Sequence, residues 1–416
     1  MFDTTKNGSV KIRMIPRRGV EQMPSVELTK GVHWVGAVDW NIRYFHGPAY
    51  STHRGTTYNA YLIMDEQITL VDTVYRPFSE ELVRHISEIV DPSKIVNVVI
   101  NHVETDHSGS LPVIMNLVPN ARIYCTQKGK EGLEKHYFGD WDYHIVKTGD
   151  ELKLGSKTLA FVEAPMLHWP DSMFTYMKED AILLPNDAFG QHIATNFRFD
   201  DEVNIDEVMD EAAKYYANIL LPFSPLVLKK LDEVTKMGID IKMIGPSHGI
   251  IWRKDPARIV NSYVKWAKGE AERKAIIVYD TMWESTEKMA KAILAGITSK
   301  GVTAKLFKMS ASDRNDIIKE MINAKAVIIG SPTINNDILA NMAPLLDDLK
   351  GLKPKDKIGF AFGSYGWGGG AAKTIEERLK AAGVELVSDP VTFKWVPTPE
   401  ELNRCFEAGE MIAGKI

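Results

Sequence analysis

The chain has only two cysteines in 416 residues, Cys125 and Cys405, and neither stands in a CxxC pair. That spacing excludes a cysteine zinc ribbon, a thioredoxin motif and an iron–sulfur centre held by this chain's own thiolates. No apolar run reaches the ~18 residues of a membrane-spanning helix, and the opening MFDTTKNGSVKIRMIPRRGV lacks the apolar segment of a secretory leader. Basic residues are not in excess: 50 Lys and Arg face 55 Asp and Glu, a formal charge of −5. A nucleic-acid binder needs a basic face, so that partner is not expected, and nothing points to a membrane surface. These absences read as a cytoplasmic globular chain. Internal repeats and low-complexity tracts are also missing.

The hydrophobic share is 44% and the charged share 25%, ample material for a core. At roughly 100–200 residues per domain the chain divides into two or three domains. The charged segment KWAKGEAERK (Lys265–Lys274) separates two rhythms and reads as a linker. It sets the expected domains at 1–270 and 271–416. In the first, Thr57–Thr73 reads as a hairpin around Asp65 and Glu66. A helix follows, with Phe78, Leu82, Ile86 and Ile89 at helical spacing and Ser79 as its N-cap. The strand IVNVVI (95–100) and further strands in ARIYC, DYHIVK, TLAFVEA and AILLPN complete a pattern of sheets packed between helices. In the second, KAIIVYD, TAKLFKM, AVIIGSP, KIGFAFGS and VELVSD alternate with helices. That is the rhythm of a five-stranded, doubly wound parallel α/β sheet, which binds ligands outside its strand carboxyl ends.

The strand ending at Ile100 runs into His102, Glu104, Asp106 and His107. An extended loop turns residues i, i+2 and i+4 to one side, and His107 then faces a neighbouring point. Two imidazoles and two carboxylates without a Lys or Arg among them repel unless a cation joins them. Taken alone the motif also fits a solvated loop. His168, Asp187 and His248 each follow an apolar run of their own, which makes chance a poor explanation.

The order HxExDH, His, Asp, His on a strand-rich half resembles the metallo-β-lactamase superfamily, with its αββα fold. Its zinc hydrolases usually read HxHxDH; here Glu104 replaces the second His. A hard carboxylate in place of an imidazole favours iron over zinc. With a flavodoxin-like half behind it, the chain resembles the flavodiiron proteins (A-type, class A). It also resembles the core of anaerobic nitric oxide reductase flavorubredoxins; with no CxxC pair, this chain is not expected to carry a rubredoxin centre. The resemblance implies one iron at His102, Glu104 and His168, a second at Asp106, His107 and His248, and Asp187 bridging them. It leaves His107 open as a ligand or a swung-away side chain. It marks His46 and Tyr215 as pocket donors to bound gas, beside the plain reading of a loop His and a helix Tyr. Asp72 is implied to support the metal loop by hydrogen bonds. His192 and Trp169 are left as structure.

In the second half, Thr281, Met282, Trp283, Glu284, Ser285 and Thr286 lead from a strand into a helix. Hydroxyls and amides at a helix N-terminus make an anion nest. With no Lys or Arg in the loop, it is not a GxxxxGK[ST] nucleotide site. Two more loops end the third and fourth strands and flank the switch point of a 2-1-3-4-5 sheet. One carries Ser331, Pro332, Thr333, Ile334 and Asn335; the other carries Ser364, Tyr365, Gly366, Trp367, Gly368 and Gly369. The spacing resembles flavodoxin, which implies FMN. A GxGxxG after a strand is absent, which argues against a dinucleotide site.

Three function classes compete. The resemblance implies a redox enzyme in which FMN passes electrons to two irons that reduce O2 to water, NO to N2O, or both. Its implied donor is rubredoxin or a reduced deazaflavin, and its implied assembly a head-to-tail homodimer, with a tetramer open as a further pairing. The alternative is a zinc hydrolase fused to a flavodoxin-like module. The third is an electron carrier with an inert metal half.

Overall fold

The computed structural model describes residues 24–416, and the opening stretch discussed above lies outside them. Two sheets face each other in the first half. The larger has seven strands in the order Val26–Thr29, Val32–Trp34, Tyr61–Ile63, Thr69–Val71, Asn97–Val99, Arg122–Cys125 and Asp142–Ile145. Pairing is antiparallel up to Thr69–Val71 and parallel beyond it. The second sheet orders Glu151–Lys153, Thr158–Glu163, Met173–Met177, Ile182–Leu184 and Met243–Ile244.

Period-two alternation divides the larger sheet between two cores. Tyr61, Ile63, Val71 and Val99 meet Phe161, Met173, Ile182 and Leu184 of the second sheet. Leu62, Leu70 and Val98 turn the other way, onto Leu82 and Ile86 of helix Ser79–Ile89. Each such side chain contributes ~1.5–3 kcal/mol when fully buried, so register is well determined. Helices Ile205–Tyr215, Ser224–Lys236 and Pro256–Lys268 cover the outer face of the second sheet and complete the αββα layers.

The second half is a parallel sheet ordered Thr303–Lys308, Glu272–Tyr279, Ala324–Gly330 and Ile358–Tyr365. Its fifth strand is split: Glu385–Leu386 and Val391–Lys394 both pair with Ile358–Tyr365, on either side of Pro390. Ile276 and Val278 join the same core as Val208, Trp252 and Ile259 of the first half. Asn315 ties the halves by hydrogen bonds. Its Oδ1 accepts from Ser51 N (3.0 Å), and its Nδ2 donates to Ala49 O (3.1 Å) and Asn218 Oδ1 (2.7 Å).

Several expectations need correcting. The supposed linker is helical through Lys268, capped by Gly269 at φ +75°, and the next strand starts at Glu272. Ser79 is not an N-cap. A 3-10 turn, Arg76–Phe78, precedes it, and its hydroxyl donates back to Arg76 O (2.6 Å). The metal loop is not extended throughout, because Thr105–Ser108 forms a helical turn. Helices Gln127–Tyr137, Ser224–Lys236, Ala343–Leu352 and Pro399–Ala413 add to the elements expected from the sequence pattern.

Candidate metal centre and flavin cradle

Strand ends deliver the donors. His102, Glu104, Asp106 and His107 follow Asn97–Val99, and His168 lies between two strands of the second sheet. Asp187 follows Ile182–Leu184 and His248 follows Met243–Ile244. All seven come together, buried except for half-buried Glu104, in two groups: His102, Glu104, His168 and Asp187, then Asp106, His107 and His248. The helical turn explains the division: it swings Asp106 and His107 away from His102 and Glu104.

Asp187 stands between the groups. Its Oδ2 lies 3.2 Å from His168 Nε2 and 3.6 Å from His102 Nε2. Its Oδ1 lies 3.0 Å from His107 Nε2 and 3.6 Å from His248 Nε2. Within the groups, His102 Nε2 to Glu104 Oε2 is 3.3 Å and His248 Nε2 to Asp106 Oδ2 is 3.1 Å. Donors sharing a cation at bonds of ~2.0–2.2 Å have edges of this length. Both carboxylate oxygens of Asp106, His107 Nε2 and Asp187 Oδ2 have no hydrogen-bond partner among the described residues. Buried polar atoms are rarely left so. Four imidazoles and three carboxylates form a mixed N/O set that suits iron. The residues present fit a pair of metal ions.

Two of the four histidines are anchored through their outer nitrogens, while His107 Nδ1 is buried without a partner among the described residues. His102 Nδ1 meets Asp171 Oδ2 (2.9 Å), and His248 Nδ1 donates to Thr57 O (2.7 Å). Such partners fix the tautomer so that Nε2 points at the metal. Ser247 Oγ donates to Asp187 Oδ1 (2.8 Å). Asp72 accepts from Asn101 N (2.8 Å) and Asn101 Nδ2 (2.9 Å), holding the metal loop as expected. Asp171, Thr57 and Ser247 were missed. The one available signal was Asp171, three residues after His168.

Charge behaves accordingly. Burial opposes protonation of His107, but Asp106 and Asp187 outweigh it and raise its pKa to about 9. Burial likewise opposes His102, yet its bonds to Asp171 and Glu104 push it well above the ordinary histidine value. Burial would raise Asp187, but His107 holds it well below the carboxylate range. Protons here stand in for cations, and metal binding displaces them.

His46 lies at the edge of the cluster, with Nε2 2.8 Å from Glu104 Oε1. Tyr215 is buried, its ring 5.1 Å from His192 and 6.2 Å from His248. His192 belongs to neither donor group. Its Nδ1 meets Thr56 Oγ1 (2.8 Å), and burial, then His248, keeps it neutral. Trp169 packs edge-on to His102. A third cluster, His53, Asp313 and Asp316, already has the Lys214 ammonium beside it, 2.9 Å from Asp316 Oδ1.

The three flavin loops lie at the carboxyl ends of adjacent strands. Among the described residues no side chain caps helix Ser285–Ser299, where Glu284 takes φ +67°. Its first amides are therefore left for an anion. Thr286 Oγ1 meets Ser364 Oγ (3.0 Å), joining two loops. A Cβ on Gly363 would come within 2.2 Å of Ser331 O, so only glycine lets those loops close up. Trp283 and Trp367 are 87% and 89% exposed, an aromatic surface suited to a planar ring.

Two family models match the chain: the ODP family beta lactamase over residues 56–249 and Flavodoxin over 277–409. A nitric oxide reductase of Moorella thermoacetica is 62% identical over 393 residues, covering 94% of this chain and 98% of that protein. The flavodiiron protein of Giardia intestinalis matches with TM-score 0.92 and 37% identity, over 95% of this chain and 98% of that one. The chain belongs to the flavodiiron protein family. The rubredoxin oxygen:oxidoreductase of Desulfovibrio gigas also matches, with TM-score 0.92 and 40% identity over 94% and 98% of the two chains. This flavodiiron protein is an oxidoreductase with FMN in its flavodoxin half and a non-haem diiron centre in its lactamase-like half. The hydrolase alternative is set aside. No helix among the described residues is long and apolar enough to cross a membrane.

Proposed function

We propose that this chain reduces nitric oxide to nitrous oxide at the diiron centre, with reduction of oxygen to water as a second reaction. Asp187 carries the reading. Its two oxygens face two separate donor groups, the arrangement needed to hold two cations side by side. One iron belongs with His102, Glu104 and His168, the other with Asp106, His107 and His248. When bound, FMN and the irons supply the one-electron chemistry that side chains cannot. The protein supplies placement: Asp171 and Thr57 fix the rings, and burial keeps bulk water away. His46 Nε2, bonded to Glu104, would hold a proton at the edge of the donor cluster. Burial, and then Asp187, keeps the Tyr215 phenol protonated as a donor. Two NO, two electrons and two protons give N2O and water; one O2 takes four of each to give two waters.

FMN belongs in the cradle of 281–286, 331–335 and 364–369, so the units 1–270 and 271–416 divide metal from flavin. Rubredoxin is the favoured donor, since the Desulfovibrio gigas match is named for it; reduced deazaflavin is the alternative. The working assembly is a head-to-tail homodimer in the cytoplasm, each FMN facing the partner's irons, with a tetramer open as a further pairing. An isologous interface makes that contact twice.

Protein expressed with ample iron should carry two irons and one FMN per chain and consume NO anaerobically when given reduced rubredoxin. Two zincs and no flavin would overturn this. Mixing an Asp187→Ala variant with a Thr281→Ala/Ser285→Ala variant should restore activity through exchanged dimers. No rescue despite proven exchange would remove the dimer.

A further inference from the structure

A second feature borders the metal centre. An apolar cavity opens where the second sheet meets helices Ser224–Lys236 and Pro256–Lys268, leaving about 20 Å³ for the centre of a water-sized sphere. Leu167, Phe174, Ala188, Phe189, Leu220 and Val227 form its walls, all buried. Two polar side chains border it, and both are engaged elsewhere. The Lys230 ammonium donates to Glu163 O (2.5 Å) and Glu233 Oε2 (2.8 Å). The Tyr263 hydroxyl accepts from Phe189 N (2.7 Å), leaving at most its own proton to meet a water. A buried water needs two to four polar partners, so this lining, with half-buried Leu231 and Lys230 at its rim, holds water poorly, and apolar cavities take up small apolar molecules such as xenon.

Its position gives it a use. Leu167 directly precedes His168, and Ala188 directly follows Asp187. Cavity wall and donor set therefore share two peptide bonds. We infer that this cavity is a holding site for the diatomic gas substrate, next to the metal shell. The inference rests on the gas-reductase reading above. NO and O2 are small and nearly apolar, and an apolar void concentrates them relative to water. A different opening, about 260 Å³ and lined by His46, Tyr50, Asn218, Ile219, Asn315 and Asp348, lies where the two halves meet, and His46 links it to Glu104. Its walls mix polar and apolar side chains, and it shares no lining residue with the apolar cavity.

The test uses crystals of the iron- and FMN-loaded protein under xenon pressure, with turnover measured in parallel. Xenon should occupy the cavity. Val227→Phe, on a helix that carries no ligand, should fill the void and abolish xenon density. It should also raise KM for NO severalfold at unchanged kcat and iron content. Val227→Ile, a smaller change, should lower xenon occupancy partially and shift KM in the same direction. An ordered water in the cavity, or xenon bound only elsewhere, would overturn the inference. So would a Val227→Phe protein that excludes xenon yet keeps its KM for NO. Xenon binding needs no turnover, so failure of the gas-reductase reading shows separately, as wild-type protein that consumes neither gas.

Discussion

The two cofactor regions are built on opposite principles. The candidate metal donors are buried, except for half-buried Glu104, and held by the fold: His102 and His248 are anchored through their outer nitrogens, and Asp187 is fixed by Ser247. The flavin loops instead leave Trp283 and Trp367 almost wholly exposed. A cation must replace the water stripped from buried carboxylates, so the protein carries that desolvation cost in advance. A flavin brings its own large surface, and the cradle offers exposed rings and free amides for it to cover. Loss of metal should therefore disturb the fold of its half, while loss of flavin leaves its half folded.

The largest test of this contrast is Asp187→Ala. Removing the shared carboxylate should take iron from two per chain to near none and abolish NO consumption, while flavin content stays normal. One firmly held iron in that variant would show that the two groups are independent. A smaller effect is expected from Asp171→Asn, which spoils the anchor of His102 without touching a metal. Iron affinity should fall about 10–100-fold, by the usual cost of losing such a partner. Unchanged affinity by chelator competition would mean that the ring is held by packing alone.

Next comes pH, where the halves should differ in sign once metal is removed. His107 is raised to about 9 in the absence of a cation, so its contribution is complete below about 6.5 and is lost as pH rises through 9. Metal-free protein should therefore lose thermal stability across that window, whereas iron-loaded protein should not. In the flavin half, burial lowers Lys357 to about 8. Its charged form is disfavoured in the fold, so its contribution improves from pH 8 upward. A metal-free Tm that is flat from pH 6.5 to 9 would remove the first claim. The smallest effect belongs to Lys357→Met, which removes that buried charge at the loss of one bond to Ile322 O (3.0 Å). It should stabilise the protein by about 1 kcal/mol at pH 7, and destabilisation would show that the bond matters more than the charge.

The seven candidate metal donors, which the fold brings together, were legible because they recur at strand ends. HxExDH, His168, Asp187 and His248 each follow an apolar run, and that periodic signal survives without a structure. The anchors escaped because Asp171, Thr57 and Ser247 are single polar residues whose role depends on contacts distant in sequence. Thr105–Ser108 escaped because one helical turn is too short to show a period. The connector was misjudged for another reason. Lys265 and Lys268 lie in the last turn of a helix, where cations favour the dipole, and charge alone looked like a loop. Helix Pro399–Ala413 was legible and overlooked: Thr398 and Glu401 form a capping box at its start.

The shared core has a consequence for how such a protein is inherited and rebuilt. Ile276 and Val278 pack in one continuous apolar interior with Val208, Trp252 and Ile259, and only Gly269, Glu270 and Ala271 separate helix from strand. Two halves joined this way are not freely interchangeable. A foreign flavodoxin grafted at the same junction would need a matching apolar face and an Asn315 equivalent. The native one, excised, would present a hydrophobic surface to water. Cleaving the junction should leave both fragments eluting together, because packing rather than the peptide bond is what joins them.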